Sequence, residues 1–312
     1  MKELVKKVIE GDTKAIARFI TLVEDRDKDA LNVMGQIHEH TGNAHIIGIT
    51  GTMGVGKSTI IGKLAKEFVE RGKKVGIIGI DPSSHFSGGA LLGDRIRMQD
   101  IILNKNVFIR SMGTRGMLGG LTGAIYDVVK ILDASGKDVI MVETVGVGQS
   151  EIDIVKTADT IVVVTIPTLG DSIQTLKAGI TEIADIFVVN KSDMPNADAT
   201  VMEIQNMIEM NKNGAWKTPV IKTIASDNEG VGELLRKIEE HKEYLIKNKK
   251  LEERRKERYE TELVEIIKRR LMAFIIDEPK LRGKMGSLIE KILRKEVDPY
   301  TAADEILGTV LK

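Results

Sequence analysis

Cysteine is absent from the 312-residue chain. That excludes a disulfide framework, a zinc ribbon and a thiolate-held iron–sulfur cluster, and it fits a reducing, cytoplasmic setting better than secretion. Aromatic residues make up only 4% of the chain, and 46 Lys plus Arg are balanced by 46 Asp plus Glu. Few platforms remain for stacking bases, and the broad positive field that gathers nucleic acid is missing, so nucleic acid is not an expected ligand. No apolar run approaches the roughly 18 to 20 residues that span a bilayer, and the opening MKELVKKVIEGDTKAIARFI lacks the apolar stretch of a signal peptide. A soluble protein without a membrane partner is expected.

What is present is a change of pattern along the chain. Up to about residue 40, Leu4, Val5, Val8, Ile9, Ala15, Ile16, Phe19, Ile20 and Leu22 recur at helical spacing, broken at Gly11-Asp12-Thr13, which predicts a lead-in of two helices. From His45, short β-branched runs alternate with helical stretches: HIIGIT, VGIIGI, DVIMVE, TIVVVT, DIFVVN and PVIKTI. Continuous apolar runs of this kind belong to strands buried on both faces, and the stretches between them are long enough for right-handed crossovers. The predicted fold is α/β, a doubly wound, mostly parallel sheet. It has a helical extension over 1–44, the sheet domain over 45–236 and a helical arm and tail over 237–312. The block NKKLEERRKERYETELVEIIKRRL reads first as a solvated helix with an apolar stripe, and second as an arm that docks another subunit.

Two motifs carry the chemistry. Gly51-Thr52-Met53-Gly54-Val55-Gly56-Lys57-Ser58, followed by Thr59, matches G-x-x-x-x-G-K-[ST] directly after a strand and at the opening of a helix. In such a loop the glycines let backbone N–H groups converge on phosphates, the lysine adds a point charge, and the hydroxyl of Ser58 ligates Mg²⁺. Asn190-Lys191-Ser192-Asp193 follows the buried run DIFVVN. A carboxylate at Asp193 accepts from both guanine N1–H and the exocyclic amine, a donor pair that adenine lacks, which selects GTP over ATP. Lys191 would lay its stem along the base, and Ala225 and Ser226, after the next strand, are placed for a backbone contact to the guanine oxygen.

Acidic residues mark the remaining strand ends. Glu143, in Glu143-Thr144-Val145-Gly146, occupies the place where P-loop proteins hold Mg²⁺ through an acid and touch the γ-phosphate with a glycine N–H, here Gly146. Glu is one methylene longer than the usual Asp, so it is expected to act through a metal-bound water. Asp81 ends the run VGIIGI, a position facing the crevice at the carboxyl ends of the strands. Asp94 lies beyond Ser87-Gly88-Gly89, a segment with the glycines of a switch loop, though a helix cap is an alternative for it.

Taken together, GTMGVGKST, DPSSHFSGGALLGDRIRM, SMGTRGMLGGLT, VETVGVGQSE, IPTLGDSIQTLKAGI and NKSD resemble the MeaB/ArgK family of GTPases, chaperones of adenosylcobalamin-dependent methylmalonyl-CoA mutase. The likeness runs from residue 1 to about residue 270. It implies a homodimeric GTPase that uses GTP and Mg²⁺, binds the mutase, gates delivery of cobalamin from the adenosyltransferase and protects the mutase during turnover. By this likeness Asp94 and Glu143 fall on the family's Mg²⁺-site acids, and Asp81 on a switch-loop acid that helps place metal and water. Asp171 and Lys177 fall on a third switch that couples nucleotide state to the partner. The chain departs from the family pattern at His85, Ser87 and Met117, none of them a phosphate or metal ligand.

Two other functions share parts of this signature. A kinase linked to amino-acid transport would need an acceptor base, and no HRD-like loop is readable. A nickel-inserting GTPase would need Cys and His ligands, yet cysteine is absent and His38, His40, His45, His85 and His241 form no dense cluster in the sequence. Intrinsic hydrolysis is expected to be slow. Arg95, Arg97, Arg110 and Arg115 are the candidates for a built-in arginine finger, and each reads more simply as a surface or structural residue.

Overall fold

The computed structural model describes residues 1–81, 99–113, 120–144, 157–167, 183–210 and 215–310, the side chains of 81, 99, 100 and 120–122 excepted. Seven strands form one sheet: β1 (His45–Thr50), β2 (Val75–Asp81), β3 (Val107–Gly113), β4 (Val139–Glu143), β5 (Thr160–Thr165), β6 (Ile186–Asn190) and β7 (Val220–Thr223). Their order is β3-β2-β4-β1-β5-β6-β7, and the pairings are parallel throughout. The sheet is the predicted doubly wound one with a seventh strand, β3. That strand is VFIRSMG, an edge strand whose Arg110 and Ser111 interrupt the apolar run by which the other strands are recognised.

Helices cover both faces because successive strand residues point to opposite sides. On one face Ile46, Ile78, Ile140 and Val163 join Val5, Val8, Ile16, Phe19 and Ile20 in a single core. These last come from α1 (Lys2–Ile9) and α2 (Thr13–Glu24), followed by the short α3 (Lys28–Asn32) and α4 (Met34–His38). The helical lead-in is therefore four helices rather than the two expected, because the stretch after Glu24 folds into two further short turns of helix, and it packs into the sheet's own core. On the other face Ile47, Ile49, Ile77 and Val162 meet Ile60, Ile61 and Leu64 of α5 (Lys57–Glu70) and Leu234, Leu235 and Ile238.

Among the described residues the remaining helices are α6 (Gln99–Ile102), α7 (Gly120–Ala134), α8 (Ala197–Met210), α9 (Val231–Lys247), α10 (Lys250–Asp277), α11 (Pro279–Leu293) and α12 (Pro299–Val310). Pro299 opens α12, where its missing N–H costs nothing. The chain divides into two compact units, Met1–Arg258 and Tyr259–Lys312, so the division falls within α10. In the second unit Ile275, Leu281, Leu288 and Ala302 are buried, and Lys284 Nζ donates to Glu305 O and Thr309 Oγ1, both at 2.9 Å. None of the described helices is long and apolar enough to cross a membrane.

The first turns of α10 expose Glu252, Glu253, Lys256 and Glu257 but turn Arg254, Arg255 and Arg258 toward the strand ends. Arg254 makes a two-pronged contact to Asp185, with both bonds at 2.7 Å, while Arg258 donates to Asp159 Oδ1 at 3.1 Å and to Thr157 O at 2.7 Å. Each aspartate also accepts the N–H of a strand residue: Ile46 for Asp159 at 3.0 Å, Ile161 for Asp185 at 2.9 Å. Behind them, His45 Nε2 lies 2.8 Å from Thr160 Oγ1, which lies 2.9 Å from His241 Nδ1. His241 Nε2 faces Asp185 Oδ1 at 3.2 Å. Folding thus brings together two of the histidines that are far apart in the sequence. Burial opposes charge on Asp185, but Arg254 and His241 outweigh it and hold its carboxyl below the usual range.

Two stability effects are expected. Arg254→Ala leaves Asp185 buried with its charge half-compensated and should cost about 3 kcal/mol, read as a lowered urea midpoint. Burial pushes the His45 imidazole from 6.5 to about 3, against the pull of Asp159. The folded chain therefore keeps it neutral while the unfolded chain takes up a proton below about pH 6.5. Stability from this group is complete above 6.5 and is lost as pH falls toward 3, at about 1.4 kcal/mol per pH unit. Between pH 7 and pH 5 the loss is about 2 kcal/mol, and His45→Gln should remove that part of the slope. An unchanged slope in the variant would contradict the assignment.

Candidate functional site

The order of the sheet places β1 between β4 and β5, so the carboxyl ends of β1, β4 and β6 open on one crevice. From β1 the chain turns through residues 51–56 into α5, a turn that only glycine permits at its two ends. Gly51 has φ +142°, and a Cβ there would sit 2.0 Å from Val164 O. Gly56, at φ +96°, would push a Cβ to 2.4 Å from Asn190 Nδ2. The positive end of the 14-residue helix α5 then faces the crevice with its first N–H groups.

Lys57 is buried, and its ammonium donates back to Gly51 O at 2.7 Å and to Thr52 O at 2.9 Å. One residue on, Ser58 Oγ donates to Glu143 Oε1 at 2.7 Å. Glu143 therefore reaches the hydroxyl side of the loop from the end of β4, and both side chains are buried. Thr59 is half-buried in the same turn, while Met53 at the tip of the loop is 68% exposed.

The strand-end motif NKSD sits on the other side. The Asn190 amide donates to Val55 O at 2.7 Å, and its oxygen accepts from Thr223 Oγ1 at 3.0 Å and from the N–H of Ala225 at 3.1 Å. Lys191 adopts φ +54°, and its exposed ammonium crosses back to Gly54 O at 3.0 Å. Asp193 and Ser226 are exposed beside it. The sequence-selected residues of the loop, Glu143, Asn190, Lys191, Asp193, Ala225 and Ser226, thus belong to one end of the sheet.

Asp81 ends β2 in register with Gly113, and nothing is described of its side chain. Asp94, Gly146, Asp171 and Lys177 lie outside the described residues, as do Arg95, Arg97 and Arg115. Arg110 is described: it pairs with Glu24 and donates to Thr21 Oγ1 at 3.1 Å, tying β3 to α2. That is a structural use. Of the methionines near the nucleotide motifs, Met112 is core and Met53 is surface.

Hard oxygen donors only 2.7 Å apart at Ser58 and Glu143 suit Mg²⁺, which keeps several waters and takes one or two protein ligands plus substrate phosphates. Among the described residues no group of three or more His, Cys, Asp or Glu gathers as a metal cage, and Mg²⁺ of this kind needs none.

The family described as Methylmalonyl Co-A mutase-associated GTPase MeaB matches residues 16–280. The chain belongs to the MeaB family. A Pyrococcus abyssi protein provisionally named a GTPase is 50% identical over 313 residues, covering 99% of this chain and 96% of its own. The Escherichia coli protein GTPase ArgK is 33% identical over 267 residues, 82% of this chain and 80% of that one. The Caenorhabditis elegans protein named methylmalonic aciduria type A homolog, mitochondrial, is 32% identical over 329 residues, covering 99% of this chain and 82% of its own. A crystal structure of an LAO/AO transport system kinase superposes with TM-score 0.74 at 23% identity, over 100% of this chain and 97% of that one. At that identity the likeness speaks for the fold alone, which is the P-loop GTPase fold of this MeaB-family chain.

Sequence reading passed over Thr50 and Thr144, whose hydroxyls meet behind the loop at 2.9 Å, and the cluster at the opposite strand ends. For the second a signal existed. The dipeptide Ala-Asp stands directly ahead of two of the buried runs, at Ala158-Asp159 before β5 and at Ala184-Asp185 before β6, placing an acid just ahead of a buried strand each time.

Gly51→Ala is expected to cost more than 3 kcal/mol, because the methyl group meets backbone at a φ hostile to it. Thermal unfolding checks this, and an unshifted transition would contradict the loop geometry.

Proposed function

We propose that this chain is a Mg²⁺-dependent GTPase of low intrinsic rate that acts as a chaperone of methylmalonyl-CoA mutase or a related acyl-CoA mutase. In this reading it gates adenosylcobalamin loading and protects or reactivates the enzyme. The observation that carries the nucleotide half is the convergence of Ser58, Glu143 and Asn190 on one loop at the carboxyl end of the sheet. The mutase half rests on family membership and on the name of the C. elegans relative.

In this reading the N–H groups of residues 51–57 bind the phosphates, and the Lys57 ammonium leaves its loop carbonyls for the β and γ oxygens. Ser58 and Glu143 would hold Mg²⁺, with Asp81 and Asp94 as further acids of that site, and the ion supplies neutralisation of charge on the β and γ oxygens when bound. Asp193 selects guanine by accepting two hydrogen bonds, Lys191 covers the base, and the Ser226 N–H meets the guanine oxygen, since the Ala225 N–H is taken by Asn190. Gly146 would touch the γ-phosphate with its N–H. Asp171 and Lys177 carry nucleotide state to the partner. A slow intrinsic rate follows where the arginine is supplied by a partner, as trans-acting groups do in other GTPases.

The division into a nucleotide domain over 45–236 flanked by a helical extension and a dimerising arm over 237–312 belongs to the same proposal. Exposed Tyr259, Leu263, Ile267 and Phe274 recur at helical spacing along α10 and support an apolar face on the arm that a second protomer would cover. The adenosyltransferase is the expected source of the cofactor, and the cytoplasm the expected compartment.

Two measurements test the proposal. Asp193→Asn should lower GTP affinity about 100-fold while leaving the weak ATP affinity unchanged, since two charge-assisted hydrogen bonds are lost. Full retention of guanine preference in calorimetric titrations would contradict the guanine assignment. Transfer of adenosylcobalamin into apo-mutase, followed by absorbance, should depend on this chain and differ between GTP and a non-hydrolysable analogue. Identical transfer under both conditions, and without the chain, would refute the gating role.

A further inference from the structure

Thr50 ends β1 and Thr144 directly follows β4, and each is 1% exposed. Thr144 Oγ1 donates to Thr50 Oγ1 at 2.9 Å. The backbone supports the same junction, since the Thr144 N–H donates to Ile49 O at 3.1 Å, one step beyond the Ile49–Glu143 register pair. Two consecutive residues at one strand end therefore reach both ends of the phosphate loop. Thr144 takes hold of Thr50, just ahead of Gly51, and Glu143 reaches Ser58, just after Lys57, at 2.7 Å.

Packing does not explain these hydroxyls. Valine has the shape of threonine, forms strands as readily, and fills neighbouring strand positions such as Val142, Val163 and Val164. A buried hydroxyl costs free energy unless it is hydrogen-bonded. The pair is satisfied only while β1 and β4 keep their registration at this end, so it resists displacement of the Glu143 carboxylate relative to the loop. Small displacements at such a centre are expensive, because an error of about 1 Å can cost on the order of 100-fold in rate.

We propose that the Thr50–Thr144 hydroxyl pair positions Glu143 against the phosphate loop for GTP hydrolysis. The proposal rests on the GTPase reading of the site and deepens it by naming two residues that act through another. The pair contributes to turnover more than to nucleotide affinity, since the loop's own backbone and Lys57 hold the phosphates.

The test compares Thr144→Val, Thr144→Ser, Thr50→Val and the double valine variant. Hydrolysis at saturating GTP, KM for GTP, affinity for fluorescent GDP and thermal unfolding are measured for each. Thr144→Val should lower kcat about tenfold while KM and GDP affinity stay within about twofold, and Thr144→Ser should restore most of the rate. Thr50→Val should behave like Thr144→Val, and the double variant should be no worse than either single one, because both remove the same bond. A Thr144→Val chain with wild-type kcat would overturn the proposal, as would single losses that multiply in the double variant or a KM that rises as kcat falls. If Thr144→Val is unfolded, Thr50→Val decides by the same readouts. A wild-type chain that does not hydrolyse GTP removes the GTPase reading and the pair with it, a result distinct from an active wild type with an unaffected variant.

Discussion

The nucleotide end of this protein depends on the carboxamide of Asn190. One group at the end of β6 ties together segments distant in sequence: the phosphate loop through Val55 O, and the end of β7 with its following turn through Thr223 and the N–H of Ala225. It is buried and uses donor and acceptor together, so displacing any one segment leaves a polar atom unsatisfied in the interior. Gly56 is glycine for the same reason, since any larger residue would collide with this amide. The loop, the base-reading turn and the end of β6 therefore move as one body.

The two ends of the sheet have different tasks. At the carboxyl ends, Lys57, Ser58 and Glu143 are held by bonds that a nucleotide can exchange for its own. At the amino ends, Asp159 and Asp185 are held by arginines of α10 in bonds that anchor. The chain returns to the sheet at those two aspartates after the stretches 145–158 and 166–184, and the helix clamping them continues into the second unit. Buried ion pairs of this kind add little to net stability compared with apolar packing, but they are costly to break singly, which favours a fixed register.

Much of this was readable in the sequence, because it rests on short-range rules. Strands buried on both faces announce themselves as continuous β-branched runs, and the phosphate loop and NKSD are contiguous, with their positions set by the strands they follow. The exception among strands was β3, whose edge position tolerates Arg110 and Ser111. What stayed hidden depends on contacts across long separations. Arg254, Arg255 and Arg258 read as the polar face of a solvated helix because charge patterning cannot see Asp159 or Asp185, roughly 70 to 100 residues away. The Thr50–Thr144 pair was hidden because threonine in a strand end is ordinary, and only the adjacency of β1 and β4 gives it meaning. Asp94, Gly146, Asp171 and Lys177 were read from motif and family likeness and lie outside the described residues.

The central claim is that nucleotide hydrolysis at this site is read by a cobalamin-dependent acyl-CoA mutase. The most direct test is the steady-state rate of GTP hydrolysis as the mutase is titrated against a fixed concentration of this chain, with a nickel enzyme as control. The account predicts a slow basal rate that rises at least tenfold and saturates with the mutase alone. A rate unaffected by the mutase, or raised equally by the control, would contradict it.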